Sequence, residues 1–163
     1  EGALRRWAGA DVWLFADADL GPTAGRLGPL VERVVAGGAD LAIAVLPPQP
    51  GGGFGVVKRL AARGIAALTG WEPREPLSGQ RAVRASALAA CRPLAGGFGV
   101  EVAMTVDALR AGHRVLEVPV DGLRHRPTGR GPRGFAHRGR QGVDVARALL
   151  RRALPGRHRR PPR

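Results

Sequence analysis

A chain of 163 residues, 44% of them hydrophobic, is long enough for one domain with its own core, and that composition excludes a wholly disordered chain. No apolar run reaches the eighteen or so residues needed to span a bilayer, and the lone Cys91 excludes an internal disulfide and a multi-cysteine metal site. The formal net charge is +13, carried almost wholly by arginine and concentrated after Val120, and such a block attracts phosphates on a nucleotide, a lipid headgroup or a nucleic acid.

Residues 1–9 read as the end of a helix, and the chain as the carboxyl-terminal part of a longer protein. Val12–Phe15 is a short apolar run that predicts a buried strand. Pro22 and Thr23 open a helix carrying Leu27, Leu30, Val31 and Val34, which Gly37 and Gly38 stop. Residues 41–46 form a second apolar strand, ended by Pro47 and Pro48, and residues 49–53 a flexible loop. Val57, Leu60, Ala61, Ile65 and Leu68 share one helix face, and Gly70 closes that helix. Residues 77–82 predict a short strand or turn, residues 86–91 a helix, and Gly96, Gly97 and Gly99 a glycine-rich approach to a helix over 100–111. Leu116, Val118 and Val120 alternate with Glu117 and Pro119, the pattern of an edge strand.

Residues 124–140 read as a basic loop rich in Gly, Pro and His. Val143, Ala146, Leu150 and Ala153 are expected to pack a final helix on the sheet, leaving Arg147, Arg151 and Arg152 in solvent. The other arrangement lays that helix on an anionic membrane surface. Residues 155–163 read as a disordered basic tail beyond a domain over 1–154. Strands alternating with helices predict an α/β fold with a mostly parallel sheet and ligands at the carboxyl ends of its strands.

Asp17 and Asp19 stand at such an end. In extended backbone their i, i+2 spacing puts both carboxylates on one side, where hard oxygens share a divalent cation that also meets a diphosphate. The same residues also suit a strand-end turn before Pro22. Glu101, at the predicted helix start, is the candidate base or acceptor-binding carboxylate, with the helix dipole favouring its charge; a first-turn capping glutamate is the alternative. Arg81, Arg124, Arg126, Arg130 and Arg138 are candidate phosphate clamps. His125 and His137 stand in the basic loop, and no cluster of soft ligands accompanies them. The apolar neighbours Ala89, Ala90 and Leu94 suggest that Cys91 is a buried or half-buried structural thiol.

The segment Val12-Trp13-Leu14-Phe15-Ala16-Asp17-Ala18-Asp19-Leu20 resembles the metal-binding D-x-D segment of family-2 and related glycosyltransferases with the GT-A fold. Pro76-Leu77-Ser78-Gly79-Gln80-Arg81 looks like the acceptor-side SG-x-R element of bacterial members. Gly97-Phe98-Gly99-Val100-Glu101 is similar to a G-[FY]-G-V-E segment of glucosyl-3-phosphoglycerate synthases, and Glu117-Val118-Pro119-Val120, with His125-Arg126 and Thr128-Gly129-Arg130, to the strand and basic loop that follow. The resemblance implies a GT-A fold, a nucleotide-diphospho-sugar donor and Mg2+ or Mn2+. It implies metal ligation by Asp17, Asp19 and His125, an acceptor role for Glu101, and substrate binding by Ser78, Gly79, Gln80, Arg81, Gly99, Arg126, Thr128 and Arg130. Two departures stand out: the amino-terminal strand–helix unit that holds the base and ribose is missing, and Pro73-Arg74-Glu75-Pro76 lacks the Asp that many polyprenyl-phosphate sugar transferases carry there.

The resulting expectation is a hexosyltransferase acting on a small-molecule or lipid-phosphate acceptor, in the cytoplasm or at the inner face of the membrane. A sugar nucleotidyltransferase shares the α/β plan and a metal-binding Asp. A basic nucleic-acid-binding module is prompted by the charge, but only 4% of residues are aromatic and no binding motif is present, so no nucleic-acid partner is expected.

Overall fold

The computed structural model describes residues 9–46, 55–123 and 132–154, and of residues 132–138 only the helix backbone. Its sheet has four strands: β1 (Val12–Phe15), β2 (Leu41–Val45), β3 (Arg81–Arg84) and β4 (Val115–Pro119), in the order β1-β3-β2-β4. The helices are α1 (Gly28–Val35), α2 (Val56–Thr69), α3 (Ala85–Ala90), α4 (Val100–Arg110) and α5 (Pro132–Ala153), with 3-10 segments at Ala18–Leu27 and Gly97–Gly99. No helix among the described residues is long and apolar enough to cross a membrane.

Strand alternation sets the layers. Ala42 and Ala44 face Leu20, Leu27, Leu30 and Val34 of the first 3-10 segment and α1, whereas Leu41 and Ile43 face Ala87, Leu88, Met104 and Ala108 of α3 and α4. On its other side α4 turns Val102 and Val106 to Ala61 and Ile65 of α2 and to Val145 and Leu149 of α5. α4 is therefore covered on two sides, with Val102, Ala103, Met104, Thr105, Val106 and Ala108 all buried. Cys91 lies buried in the second cluster, and burial pushes its thiol up to about 12, which leaves it unreactive.

The sheet is mixed rather than mostly parallel. β4 runs parallel to β2 at the expected edge, but β3 runs antiparallel to both β1 and β2. The cause is where α2 packs. A parallel crossover needs a helix lying on the sheet, and α2 lies instead on α4 and α5. The chain after Gly70 therefore comes back to the sheet at the carboxyl ends of β1 and β2, and β3 descends from there.

The final helix also differs from expectation. It begins at Pro132, inside the stretch read as a loop, and it packs on α2 and α4, not on the sheet. Its buried side is Val145, Ala148 and Leu149, while Val143 and Leu150 are 48% and 65% exposed. Arg152, expected in solvent, turns inward: its Nε donates to Asp107 Oδ1 at 2.7 Å and its Nη2 to Oδ2. Gly64 of α2 sits under Leu149, where any Cβ would collide with the leucine side chain. At the sheet end away from the Asp pair, Asp40 accepts the Arg114 N–H at 2.9 Å and Arg84 Nε at 3.2 Å. The Arg114 N–H above all holds its carboxyl below the ordinary value.

A candidate metal and acceptor site at the end of the first strand

The antiparallel register of β1 and β3 pairs Phe15 with Arg81. Carried two residues outward, it sets Asp17 opposite Gly79. The approach is close: a Cβ on Gly79 would lie 2.5 Å from Asp17 Oδ1 and 2.8 Å from Oδ2. Only glycine leaves room for the carboxylate there. Gln80 Nε2 then donates to Asp17 Oδ2 at 2.8 Å, and Ser78 Oγ donates to Gln80 Oε1 at 3.3 Å. The Gln80 carbonyl accepts the Ala44 N–H at 3.0 Å, which ties this arm to β2. Gln80 is fully buried, so the amide that orients Asp17 is itself rigid.

Asp17 keeps extended backbone, with φ −71° and ψ 141°, and then caps a 3-10 segment that contains Asp19. The extended-strand argument for a shared side therefore holds for Asp17 but does not describe Asp19. Both are exposed. Carboxylate oxygens on a strand end suit a hard divalent cation with open positions. Among the described residues no group of three or more His, Cys, Asp and Glu converges, and His125 lies outside them. Arg124, Arg126, Thr128 and Arg130 also lie outside the described residues, as do the side chains of His137 and Arg138.

Glu101 occupies the first turn of α4. Burial raises its carboxyl pKa and the Asp17 charge raises it further, against the opposing pull of its own backbone N–H and of Arg81. The dipole was expected to favour the ionised form; desolvation outweighs it here. The site thus presents two carboxylates, an exposed Asp17 and a more buried Glu101 whose carboxyl pKa is raised above its ordinary value.

Arg81 lies beneath them and is 1% exposed. Its Nε donates to the Ser78 carbonyl at 2.7 Å, Nη1 to the Glu101 carbonyl and Thr105 Oγ1, each at 2.8 Å, and Nη2 to the Pro76 carbonyl at 3.2 Å. Burial lowers its pKa to about 10, which keeps it charged at neutral pH. The guanidinium expected to meet a phosphate instead binds the 76–78 segment to the first turn of α4, fixing Gly79 and Glu101 relative to each other.

Residues to which the sequence assigned no site role complete the frame. Glu117 Oε1 on β4 accepts the N–H groups of Arg74 and Glu75 at 2.8 and 2.6 Å, and Lys58 pairs with Glu75 at 2.7 Å. Thr105 is fully buried and donates to the Glu101 carbonyl at 2.9 Å. Asp144 of α5 accepts the Phe98 N–H at 3.2 Å. It also explains the glycines before α4. A Cβ on Gly99 would meet the Asp144 carbonyl at 2.7 Å and Ala148 Cβ at 2.9 Å, and one on Gly97 would collide with the Asp144 carboxylate. Gly97 also has φ +60°. Gly99, expected to bind substrate, is buried under α5.

Replacing Gly79 by alanine should displace the Asp17 carboxylate with little effect on the fold. The expected result is a tenfold or greater loss of Mn2+ affinity, on the order of a displaced supporting contact, with a shift of less than about 1.5 kcal/mol in urea unfolding. Titration calorimetry and a denaturation curve on the same sample separate the two.

No family model matches the chain, and no curated protein sequence does. Solved structures do. Glucosyl-3-phosphoglycerate synthase from Mycobacterium tuberculosis in complex with Mg2+ and uridine diphosphate is similar over 95% of this chain, with a TM-score of 0.70 and 25% identity. Another crystal structure of that synthase gives a TM-score of 0.66 at 25% identity, and its complex with Mn2+, UDP-glucose and phosphoglyceric acid gives 0.65 at 24%, both again over 95% of the chain. The mixed sheet and its flanking helices are thus similar in fold to that GT-A glycosyltransferase. The chain covers 54% to 55% of the synthase chains, about half their length.

Proposed function

We propose that this chain carries the metal-binding and acceptor-binding half of a hexosyltransferase that moves a sugar from a nucleotide diphosphate to an acceptor hydroxyl. The observation that carries the reading is Asp17, oriented by Gln80, in the electrostatic reach of a partly buried Glu101. Likeness to a synthase crystallised with Mn2+, UDP-glucose and phosphoglyceric acid supports the donor class and the metal. A second complex of that synthase holds glycerol 3-phosphate, which favours a small phosphorylated acceptor with a free hydroxyl.

In this reading Asp17 and Asp19, with His125, hold Mg2+ or Mn2+, which supplies positive charge to the diphosphate as the sugar departs. Asp17 is kept in one rotamer by Gln80 and by the bare backbone of Gly79. Glu101 meets the acceptor hydroxyl through its carboxylate and accepts its proton or fixes its direction. Ser78 and Gly79 line the approach, while Arg81 holds that approach and Glu101 in register without touching the substrate. Arg126, Thr128 and Arg130 are assigned to substrate binding by family resemblance, the two arginines as clamps for the diphosphate.

The test is Glu101→Gln, in which function and stability are expected to move in opposite directions. The folded-state pKa of Glu101 is raised above its ordinary value of 4.5. Its contribution to stability is therefore full below the unfolded-state pKa and is lost as pH rises through the folded-state value. Removing the charge should make the variant more stable than the parent at pH 7 and about equal to it at pH 4. Sugar transfer should fall by about a hundredfold, the lower range for a lost general base. Transfer at the parental rate would contradict the role of Glu101, and a variant less stable at pH 7 would contradict its environment.

A further inference from the structure

We infer that the outer face of α5 is a docking surface for an anionic lipid bilayer. Val143, Leu150 and Leu154 are 48%, 65% and 64% exposed. At 3.6 residues per turn they fall within about 40° of one another along the last three turns. Arg140, Arg147 and Arg151, all exposed, run beside them on one flank. The acid nearest this face, Asp144, turns inward to the Phe98 N–H and reaches Arg147 only at 4.0 Å.

The result is an apolar line, interrupted by Arg147 between Val143 and Leu150 and bordered by guanidiniums, on the side of the helix opposite Val145 and Leu149. A line of three large apolar side chains differs from singly scattered ones. Its dimensions suit insertion at headgroup depth while the arginines meet lipid phosphates. A second copy is disfavoured as the occupant, because a symmetric contact would bring two arginine rows together. The inner side of the same helix packs on Gly97–Gly99, next to Glu101, so a docked molecule would hold its site close to the lipid surface. The inference rests on this face alone and stands apart from the sugar-transfer reading.

Flotation of the full chain with phosphatidylcholine vesicles, with and without phosphatidylglycerol, tests it. Binding is expected only to the anionic vesicles. Leu150→Ser with Leu154→Ser, and separately Arg147→Gln with Arg151→Gln, should each reduce partitioning by about tenfold or more. Val35→Ser and Arg33→Gln, exposed positions on α1, should leave it unchanged. All four sets change exposed side chains, and circular dichroism checks that the fold is kept. Three results would overturn the inference. One is absence of binding. Another is binding that ignores the leucines and falls equally with Arg33→Gln, the behaviour of net charge alone. The last is a dimer in sedimentation that the leucine pair dissolves.

Discussion

Asp17→Asn should reduce metal-dependent sugar transfer by about a hundredfold or more, because a cation that lowers the barrier by several kcal/mol loses its oriented anionic ligand. The fold should hardly notice. Asp17 is exposed, and its one described hydrogen bond, from Gln80 Nε2, can be remade by the asparagine carbonyl. The expected change in unfolding free energy is less than about 1 kcal/mol. Gln80→Leu should act in the same direction more weakly, about tenfold, because it leaves the ligand in place but unaimed. A loss of activity in Asp17→Asn that raising the Mn2+ concentration restores to the parental rate would locate the effect in affinity, and no loss would remove Asp17 from the site.

Arg81→Met should have the largest effect on stability of any single change at the site. The substitution keeps most of the aliphatic volume but strips hydrogen bonds from the Ser78, Pro76 and Glu101 carbonyls and from Thr105, all held in a setting where Arg81 itself is 1% exposed. The Glu101 carbonyl keeps Thr105 as a donor, whereas the buried Ser78 and Pro76 carbonyls lose the Arg81 bond at about 1–3 kcal/mol each, partly relieved by relaxation, and the buried guanidinium's packing is lost with them. A total of roughly 3–5 kcal/mol, read from the urea midpoint and slope, is expected. Arg81→Lys should recover only part of it, since an ammonium group cannot reach the same spread of carbonyls as the planar fork. A midpoint within error of the parent would mean that the 76–78 segment is held by Glu117 and Lys58 alone.

Much of the architecture was legible because local signals agreed with the final packing. Val12–Phe15, Leu41–Val45 and the α2 and α4 helices appear within a residue or two of where periodicity and glycine stops put them. The edge position of β4 followed from Glu117 and Pro119 alternating with Leu116 and Val118. The direction of β3 was not legible. Arg81–Arg84 carries no mark of strand polarity, and its direction depends on α2 leaving the sheet to lie on α4 and α5. That one tertiary choice brings Ser78, Gly79 and Gln80 onto Asp17.

The final helix misled for another reason. Val143, Ala146 and Leu150 form one apolar stripe and Val145, Ala148 and Leu149 another, and composition does not rank them. Asp107, forty-five residues before Arg152, decides which side turns inward. At the site, Asp17 and Glu101 could be found from motif and position. The buried role of Arg81 could not, since a ligand-facing arginine and one that organises carbonyls look alike in sequence. The glycines at 97 and 99 likewise fit a ligand cradle as well as they fit a helix packed against them.

On the proposed function, the Asp17 carboxylate, set by the β1–β3 register against Gly79, anchors a divalent cation within reach of Glu101. Titrating Mn2+ into the 15N-labelled chain reads this directly, because paramagnetic broadening marks amides close to the ion. The first resonances lost should be those of Asp17, Asp19, Gly79, Gln80 and Glu101, and Asp17→Asn should abolish the loss at the same Mn2+ concentration. Early broadening at Glu72, Asp121 or other acids away from the carboxyl end of β1, unchanged in Asp17→Asn, would contradict it.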